Sequence, residues 1–198
     1  MTELVLQAGF TEAERVQVAR LFWTGFAPKL LPAFGSDAER GCADLARLMR
    51  PERVTCARVD GALAGICVTP GVLALDRASL RRAVRPLRAA RILAGLALLD
   101  QPPPPNTLMI EAICVDPARR GLGIGTGLLR NAFETAQRQR RRAVRLIVVD
   151  SNPRAAALYR REGFVPVGGG SVRPFGRWYG FERWTAMERP VPGPPSGA

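Results

Sequence analysis

Residues 115–127 decide the fold and read Val115-Asp116-Pro117-Ala118-Arg119-Arg120-Gly121-Leu122-Gly123-Ile124-Gly125-Thr126-Gly127. A strand-like apolar run, Thr107 to Val115, precedes this stretch, and a helical pattern to about Arg140 follows it. Glycines at a helix start let the backbone approach a ligand, first-turn amides point outward, and the helix dipole favours negative charge. Because two arginines stand beside these glycines, the stretch predicts a binding site for an anion.

Glycine-rich phosphate loops are distinguished by the spacing of their glycines and of the basic residues beside them. A dinucleotide fingerprint starting at Gly121 and Gly123 needs a third glycine where this chain has Thr126, and a P-loop needs a lysine that is absent here. The pattern that fits is Arg-x-x-Gly-x-Gly, at Arg120, Gly123 and Gly125. A tight strand-to-helix turn with packing glycines is the alternative interpretation.

The stretch resembles the acetyl-CoA motif of the GCN5-related N-acetyltransferase (GNAT) family. Residues 152–164, Asn-Pro-Arg-Ala-Ala-Ala-Leu-Tyr-Arg-Arg-Glu-Gly-Phe, resemble that family's second cofactor segment, where Asn, Ala, Tyr and Gly-Phe recur at these spacings. Together the segments cover about residues 108 to 167, and the order of elements before them agrees. The resemblance implies direct transfer of an acetyl group from acetyl-CoA to a primary amine in a ternary complex.

The resemblance also implies where the cofactor is held. In the family, the pantetheine arm lies between two splayed parallel strands, here those ending near Val115 and Val149, and its amides pair with the first strand. The residues implied to bind the cofactor are Ile113, Cys114, Val115, Arg120, Gly121, Leu122, Gly123, Ile124, Gly125, Thr126, Asn152 and Tyr159.

Acyl transfer to an amine needs a base for the amine, a donor to the oxyanion and a proton for the thiolate. Tyr159 matches the family's general acid; the alternative is a tyrosine that only packs against the sheet. Glu111 is the single carboxylate in an apolar run, where desolvation would suit it to act as the base; the alternative is pairing with an arginine. A backbone amide near Cys114 or Val115 would hold the oxyanion. Covalent catalysis by Cys114 is disfavoured because the chain has no histidine to activate it.

Composition excludes several other kinds of site. The absence of histidine removes Ser-His-Asp triads and imidazole metal sites, and we expect no metal. The sequence shows no apolar run of about 18 residues and no secretory signal pattern, so we expect a cytoplasmic protein with no membrane partner. Four dispersed cysteines indicate buried thiols in a reducing compartment: Cys42, Cys56, Cys67 and Cys114.

The net charge of +12, nearly all from arginine, permits two other functions. One is a nucleic-acid-binding or regulatory module, supported by arginine clusters at 81–91 and 138–142. Neither cluster interleaves the aromatic residues that stack bases, so a nucleic-acid partner is disfavoured. The other is a catalytically silent acyl-CoA sensor. A polyanionic cofactor also suits the charge.

The predicted fold class is α/β (α+β), a GNAT fold with a mixed, mostly antiparallel sheet of about six or seven strands flanked by helices. Residues 1–189 are predicted to form one domain. This domain includes a helical insertion and proline-rich connector at 76–106, and 190–198 form a flexible tail. Pro28 and Pro32 are expected to break the first helix.

The acceptor is expected to be an amine of a small molecule or peptide, and one scaffold serves many such amines. In the family, the first two helices and the loop joining the last strands form the acceptor pocket. The aromatic residues of these segments can stack a cation or an apolar ring, or they can form core or a homodimer contact, which we favour. They are Phe22, Trp23, Phe26, Phe175, Trp178, Tyr179 and Phe181.

Overall fold

A computed structural model describes residues 3–34, 37–73, 104–173 and 180–192. The predicted inserted helix, the first part of the proline connector and the tail beyond 192 lie outside these residues. None of the helices in the described ranges has the length and apolar character needed to cross a membrane.

The described chain alternates strands and helices. In order, the elements are β1 (Leu4–Ala8), α1 (Arg15–Phe34), α2 (Ala38–Leu48), β2 (Val54–Val59), β3 (Ala62–Val68), β4 (Thr107–Ile110), β5 (Ala112–Val115), α3 (Ile124–Arg138), β6 (Ala143–Val149), α4 (Pro153–Arg161), β7 (Val165–Ser171) and β8 (Arg183–Pro190).

The strands form two four-stranded sheets with the orders β1-β2-β3-β5 and β4-β6-β8-β7. Only the β4–β6 pair among these is parallel. β4 and β5 are consecutive along the chain, so the two sheets are joined by one interrupted strand. Counting that strand once gives seven strands, mixed and mostly antiparallel, which confirms the predicted fold class.

Local signals in the sequence place the first turns correctly. Asp60 and Gly61 have φ values of 51° and 79°, the left-handed conformation that a two-residue hairpin turn between β2 and β3 requires. The backbone N–H of Thr11 donates to the Glu14 carboxylate at 2.9 Å, as expected of the predicted capping box. At the start of α2, the Asp37 carboxylate accepts from the Arg40 N–H at 3.0 Å.

Helix α1 continues to Phe34, so the predicted break at Pro28 and Pro32 was wrong. A proline inside a helix removes one backbone hydrogen bond and costs roughly 3 kcal/mol. The last turns of α1 offset this cost by burial, because Leu30 and Phe34 are only 3% and 2% exposed. Packing therefore outweighs the local preference of the prolines.

Two hydrophobic cores lie on opposite faces of the first sheet. The first core packs α1 and α2 against that sheet, with Phe34, Leu45 and Leu48 among its fully buried side chains. The second core contains Leu128 and Leu129 of α3, together with side chains from strands of both sheets. Because α3 contacts β3 and β5 of the first sheet and β4 and β6 of the second, it fixes the two sheets relative to each other.

The C-terminal strand extends further than the predicted domain boundary at residue 189. β8 includes Pro190, and the N–H of the buried Val191 donates to the Arg142 carbonyl at 2.9 Å. Packed structure therefore continues two residues into the segment predicted as a tail.

Candidate functional site

The interrupted strand creates an opening in the middle of the sheet. β4 pairs with β6 from Thr107↔Ala143 to Ile110↔Leu146. Beyond that point, β5 pairs with β3, whereas β6 continues along β8 as far as Val149. Two strands that begin side by side therefore separate and leave a V-shaped gap.

One continuous strand over Thr107–Val115 was predicted, and this prediction was wrong. The strand breaks at Glu111, whose N–H donates to the Val68 carbonyl at 2.8 Å, where the pairing with β3 begins. The run of apolar residues is uninterrupted apart from Glu111, but the chain exchanges one hydrogen-bonding partner for another.

The backbone of β5 has unpaired groups on the side of the gap. Asp116 N–H donates to Ala64 O at 2.9 Å, and hydrogen bonding alternates along an antiparallel strand. The N–H and C=O of Cys114 therefore also face β3, whereas those of Ile113 and Val115 face the gap. Each of these two residues offers one donor and one acceptor to an extended ligand.

The glycine loop forms the end of the gap. Gly121 and Gly123 have φ values of 85° and 74°, which glycine adopts without strain, and Gly123 caps α3. The helical hydrogen bonds begin with Gly127 N–H donating to Gly123 O at 2.9 Å. The N–H groups of residues 124–126 precede this bond and point out of the helix end, as in anion sites at helix N-termini.

The turn before α3 is held in place by two side chains. The Asp116 carboxylate accepts from the Ala118 N–H at 3.0 Å. The Arg119 guanidinium donates to the Val59 carbonyl of β2 at 3.1 Å, so its positive charge is fixed beside the loop. The loop is therefore a preformed, electropositive feature.

A cleft of 740 Å³ occupies the gap and extends towards α1 and α4. Its wall contains Glu111 and eleven of the twelve residues predicted to bind the cofactor. The exception among the described residues is Leu122, whose side chain is 53% exposed on the loop surface. The structure thus gathers two distant sequence segments around one cavity.

Tyr159 lines the cleft from α4 and is only 8% exposed. Its ring packs against Phe164 at a centroid distance of 6.1 Å. Burial, and secondarily the neighbouring Cys67 and Cys114 thiols, raise the pKa of the Tyr159 phenol above its usual value. The phenol therefore stays protonated at neutral pH and can donate a hydrogen bond into the cleft.

Asn152 positions the start of α4 at the end of β6. Its side-chain oxygen accepts from the Ala155 N–H at 3.1 Å, and its own N–H donates to the Val149 carbonyl at 3.0 Å. The Asn-Pro pair thus forms the expected helix start, with Pro153 at the first helical position. The cap fixes the helix that presents Tyr159.

Glu111 lies in the cleft wall but is exposed. The expectation that the apolar strand would desolvate this carboxylate was therefore wrong, because the strand break at Glu111 turns the residue to the surface. A role as the base now depends on its place in the cleft and not on burial.

Cys114 packs against α1. A Cβ atom built on Gly25 of α1 would lie 2.6 Å from its Sγ, which shows how closely the helix approaches the strand. Burial raises the pKa of the Cys114 thiol to about 12. A thiol held protonated is a poor nucleophile, which agrees with the preference for direct transfer.

The predicted aromatic cluster is divided between core and cleft. Phe22 and Trp23 are buried in the first core, at 4% and 7% exposure. Phe26 stacks on Phe22 at 5.1 Å and lines the cleft, as does Phe181. Phe175, Trp178 and Tyr179 lie outside the described residues.

Several residues of the cleft wall were not predicted from the sequence. Thr24 and Gly25 of α1 and two arginines of α4, Arg154 and Arg161, belong to this group. The arginines stand four residues before and three residues after Leu158, the spacing that puts side chains on one helix face. This periodicity is the signal that could have identified them.

Comparison with known proteins agrees with this geometry. Residues 23–164 match the model of the acetyltransferase (GNAT) family. The chain belongs to this family. An uncharacterized N-acetyltransferase of Methanocaldococcus jannaschii is 47% identical over 55 residues, which are 28% of this chain and 24% of that protein. The match thus spans about a quarter of that relative's length.

Solved structures show the same GNAT fold. An N-acetyltransferase from Staphylococcus aureus Mu50 superposes with a TM-score of 0.70 at 17% identity, over 93% of this chain and 100% of that one. Another acetyltransferase superposes with a TM-score of 0.64 at 21% identity, over 95% and 100% of the two chains. At these identities, the similarity establishes the fold.

Proposed function

We propose that the protein is an N-acetyltransferase that transfers an acetyl group from acetyl-CoA to a primary amine, directly and within a ternary complex. The observation that carries the proposal is the V-shaped gap between β5 and β6, with a glycine loop at one end and Tyr159 in its wall. Membership of the acetyltransferase family supports it.

The cleft suits an extended donor with an anionic end. The outward amides of residues 124–126 and the guanidinium of Arg120 would bind the pyrophosphate. The backbone groups of Ile113 and Val115 would pair with the amides of the pantetheine arm, as an added strand does. Such pairing would place the thioester near Tyr159.

The reaction forms a C–N bond between the amine and the acetyl carbon and breaks the C–S bond of the thioester. An outward N–H of β5, from Val115 or Ile113, would donate to the developing oxyanion; the N–H of Cys114, the other candidate from the sequence, faces β3. The Tyr159 phenol would donate its hydrogen bond to the departing sulfur, and a proton would then reach the thiolate from Tyr159 or solvent. Stabilising both developing charges lowers the barrier to transfer.

The proton of the attacking amine requires an acceptor on the opposite side of the acetyl group. Glu111 is the acidic residue in the described cleft wall, and we propose that it takes the proton directly or through a water molecule. Four free, buried cysteines support a reducing, cytoplasmic location as part of the same proposal.

Calorimetric titration with acetyl-CoA, with a DNA duplex and a single-stranded RNA as parallel titrants, tests the proposal. We expect affinity for acetyl-CoA on the order of micromolar, followed by thiol release when a panel of primary amines is added. Salt-dependent binding of nucleic acid without acetyl-CoA binding would instead support the nucleic-acid module. Acetyl-CoA binding without turnover over a broad amine panel would support the acyl-CoA sensor.

A further inference from the structure

Four exposed arginines are concentrated where α3 ends and β6 begins, and we call them the arginine patch: Arg138, Arg140, Arg141 and Arg142. Arg138 lies 3.9 Å from Glu134, but both side chains are more than half exposed, so this pair neutralises little charge. Within the part of the chain that the structure describes, the other three arginines form no ion pair. The patch therefore presents a local excess of positive charge to solvent.

The turn after α3 has an arginine where glycine is the usual residue. The N–H of Arg140 donates to the Gln137 carbonyl at 3.0 Å, and the N–H of the next residue, Arg141, donates to the Ala136 carbonyl at 2.9 Å. These are the two hydrogen bonds of a Schellman motif, whose left-handed residue is usually glycine. Arg140 occupies that position with a φ of 53°, which strains a residue that has a Cβ atom. Since its guanidinium forms no ion pair with the described residues to offset this strain, folding alone does not account for an arginine here.

The arginine patch and the cleft lie at opposite ends of β6. Arg142 immediately precedes β6, and its N–H donates to the Asn106 carbonyl at 2.9 Å. Its carbonyl accepts from the Val191 N–H, also at 2.9 Å, so the patch is anchored to the start of β4 and the end of β8. The wall of the cleft includes β6 only from Leu146 onwards. A ligand on the patch therefore need not enter the cleft, and the two can be occupied together.

The composition of the patch favours the phosphate backbone of a duplex as its ligand. Residues 137–142, Gln-Arg-Gln-Arg-Arg-Arg, include no apolar or aromatic residue. Membrane-surface helices insert apolar side chains, and protein interfaces are enriched in aromatic residues at their centre. Aromatic rings stack the bases of single strands, whereas the bases of a duplex are already stacked on one another. Guanidiniums bind phosphate oxygens through paired hydrogen bonds and need no other contact to do so.

We infer that the arginine patch binds the phosphate backbone of a duplex nucleic acid, without reading its sequence, while the cleft stays available to the acetyl donor. A DNA duplex carries one negative charge about every 1.7 Å along its axis. Four guanidiniums within five residues match this high density of charge. The inference goes beyond the proposed function and does not depend on it, because no residue of the patch lines the cleft.

Fluorescence anisotropy of a labelled DNA duplex, titrated with the full chain over a series of salt concentrations, tests the inference. For four phosphate contacts, we expect log K to fall with log salt at a slope of about −3.6, a loss of about 100-fold between about 50 and 200 mM salt. R140Q/R141Q/R142Q should reduce the magnitude of the slope by about 2.7 and leave the affinity for acetyl-CoA at its wild-type value. A duplex RNA of the same sequence, titrated in parallel, shows which kind of duplex supplies the phosphates.

R20Q/R40Q/R160Q is the matched control. It removes the same three charges from exposed arginines of α1, α2 and α4 that lie outside the cleft wall and, among the described residues, form no ion pair. Because these arginines belong to three separate helices, the control should leave the slope unchanged. An equal effect of the two triple variants would mean that the duplex responds only to the net charge of the chain.

Arg140→Gly separates binding from folding. Glycine adopts the left-handed conformation without strain, so we expect Tm to rise by about 2–4 °C, while the magnitude of the salt slope falls by about 0.9. Polyglutamate of the same charge as the duplex is the third titrant, and binding as tight as that of a duplex would point to an acidic protein partner instead. That result, an equal effect of the two triple variants, or no binding of either duplex by wild type would each overturn the inference and leave the acetyl-CoA site untouched.

Discussion

Tyr159 is the residue on which the proposed chemistry depends most directly. Its raised pKa keeps the phenol protonated, and its ring is held by burial and by Phe164. Tyr159→Phe keeps the ring and removes only the donor. We expect kcat to fall about 100-fold, the usual scale for a lost general acid, with acetyl-CoA affinity within about twofold of wild type. Steady-state kinetics and calorimetry on the same preparations measure both quantities, and an unchanged kcat would leave Tyr159 a packing residue.

Gly123 is a second residue whose replacement separates binding from folding. Its φ of 74° strains any other residue, and a carboxylate there would repel phosphate groups. We expect Gly123→Glu to weaken acetyl-CoA binding about 100-fold or more, measured by calorimetry. Gly61→Glu is the control, because Gly61 has a similar φ of 79° and open space around it in the β2–β3 turn. Wild-type affinity in Gly123→Glu, or an equal loss in both variants, would contradict a phosphate-binding role for the loop.

Arg154 and Arg161, which line the cleft from α4, show what the order of residues alone does not reveal. Each lies in a sequence with arginines throughout, so composition gave no reason to single out Arg154 or Arg161. They become distinct only when Leu158 is seen against Gly125, a contact between segments more than 30 residues apart. Side-chain spacing predicts which residues share a helix face, but not which element that face meets.

At the scale of elements, the sequence predicts the turns and helix starts that depend only on neighbouring residues. Residues within about four positions of each other determine four such features. These are the Asp60-Gly61 turn, the helix starts at Thr11 and Asp37, and the glycine-capped start of α3. The break at Glu111 does not, because it arises when one strand pairs with β6 over four residues and then with β3 over the next four. The continuation of α1 through two prolines likewise depends on burial of its far end.

The alternation of the β5 amides between β3 and the gap predicts which of them a bound donor protects from exchange. We expect the amide hydrogens of Ile113 and Val115 to exchange more slowly once acetyl-CoA binds, because the donor would give them hydrogen-bond partners. The amide of Cys114 already faces β3 and should change little. Residue-resolved hydrogen exchange by NMR, with and without acetyl-CoA, measures the three together. Protection gained at Cys114 but not at Ile113 and Val115 would show that the Cys114 amide, and not its neighbours, faces the gap.

The ion pair between the start of α1 and β2 gives a prediction about pH. Arg58 Nε and Nη2 donate to the two Glu14 oxygens at 2.8 and 2.7 Å, which lowers the pKa of Glu14 from 4.5 to about 2. A lowered folded-state pKa stabilises the fold above pH 4.5, and this contribution is lost as the pH falls towards 2. Glu14→Gln should thus cost about 1–2 kcal/mol at pH 7, and the difference from wild type should shrink below pH 4.5.

Denaturant unfolding at several pH values measures this contribution of Glu14. Glu12→Gln is the control, because Glu12 also pairs with an arginine, Arg15 at 2.8 Å, but is 81% exposed. Exposed pairs contribute little, so Glu12→Gln should stay within about 0.5 kcal/mol of wild type. A cost of Glu14→Gln that stays constant down to pH 2 would show that the side chain acts through packing and not through its charge.

At the scale of the whole molecule, the question is how two sheets that separate at Glu111 behave as one unit. Beyond β4 and β5, they are joined by α3, whose side chains contact strands of both sheets. Leu128 and Leu129, 0% and 1% exposed, lie in the core that continues beneath the separation. The donor would occupy the gap on the opposite edge of β5, so it would add a second connection between the sheets.

Because the donor would connect the two sheets, we expect a single thermal unfolding transition whose Tm rises when acetyl-CoA binds. A ligand present at about 100 times its Kd stabilises the native state by about 2.7 kcal/mol. For a chain of this size, that corresponds to a rise in Tm of about 5–10 °C. Differential scanning calorimetry with and without acetyl-CoA measures the shift, and Gly123→Glu supplies the matched sample in which it should vanish. Two transitions, of which acetyl-CoA shifts only one, would mean that the sheets unfold separately and that α3 does not couple them.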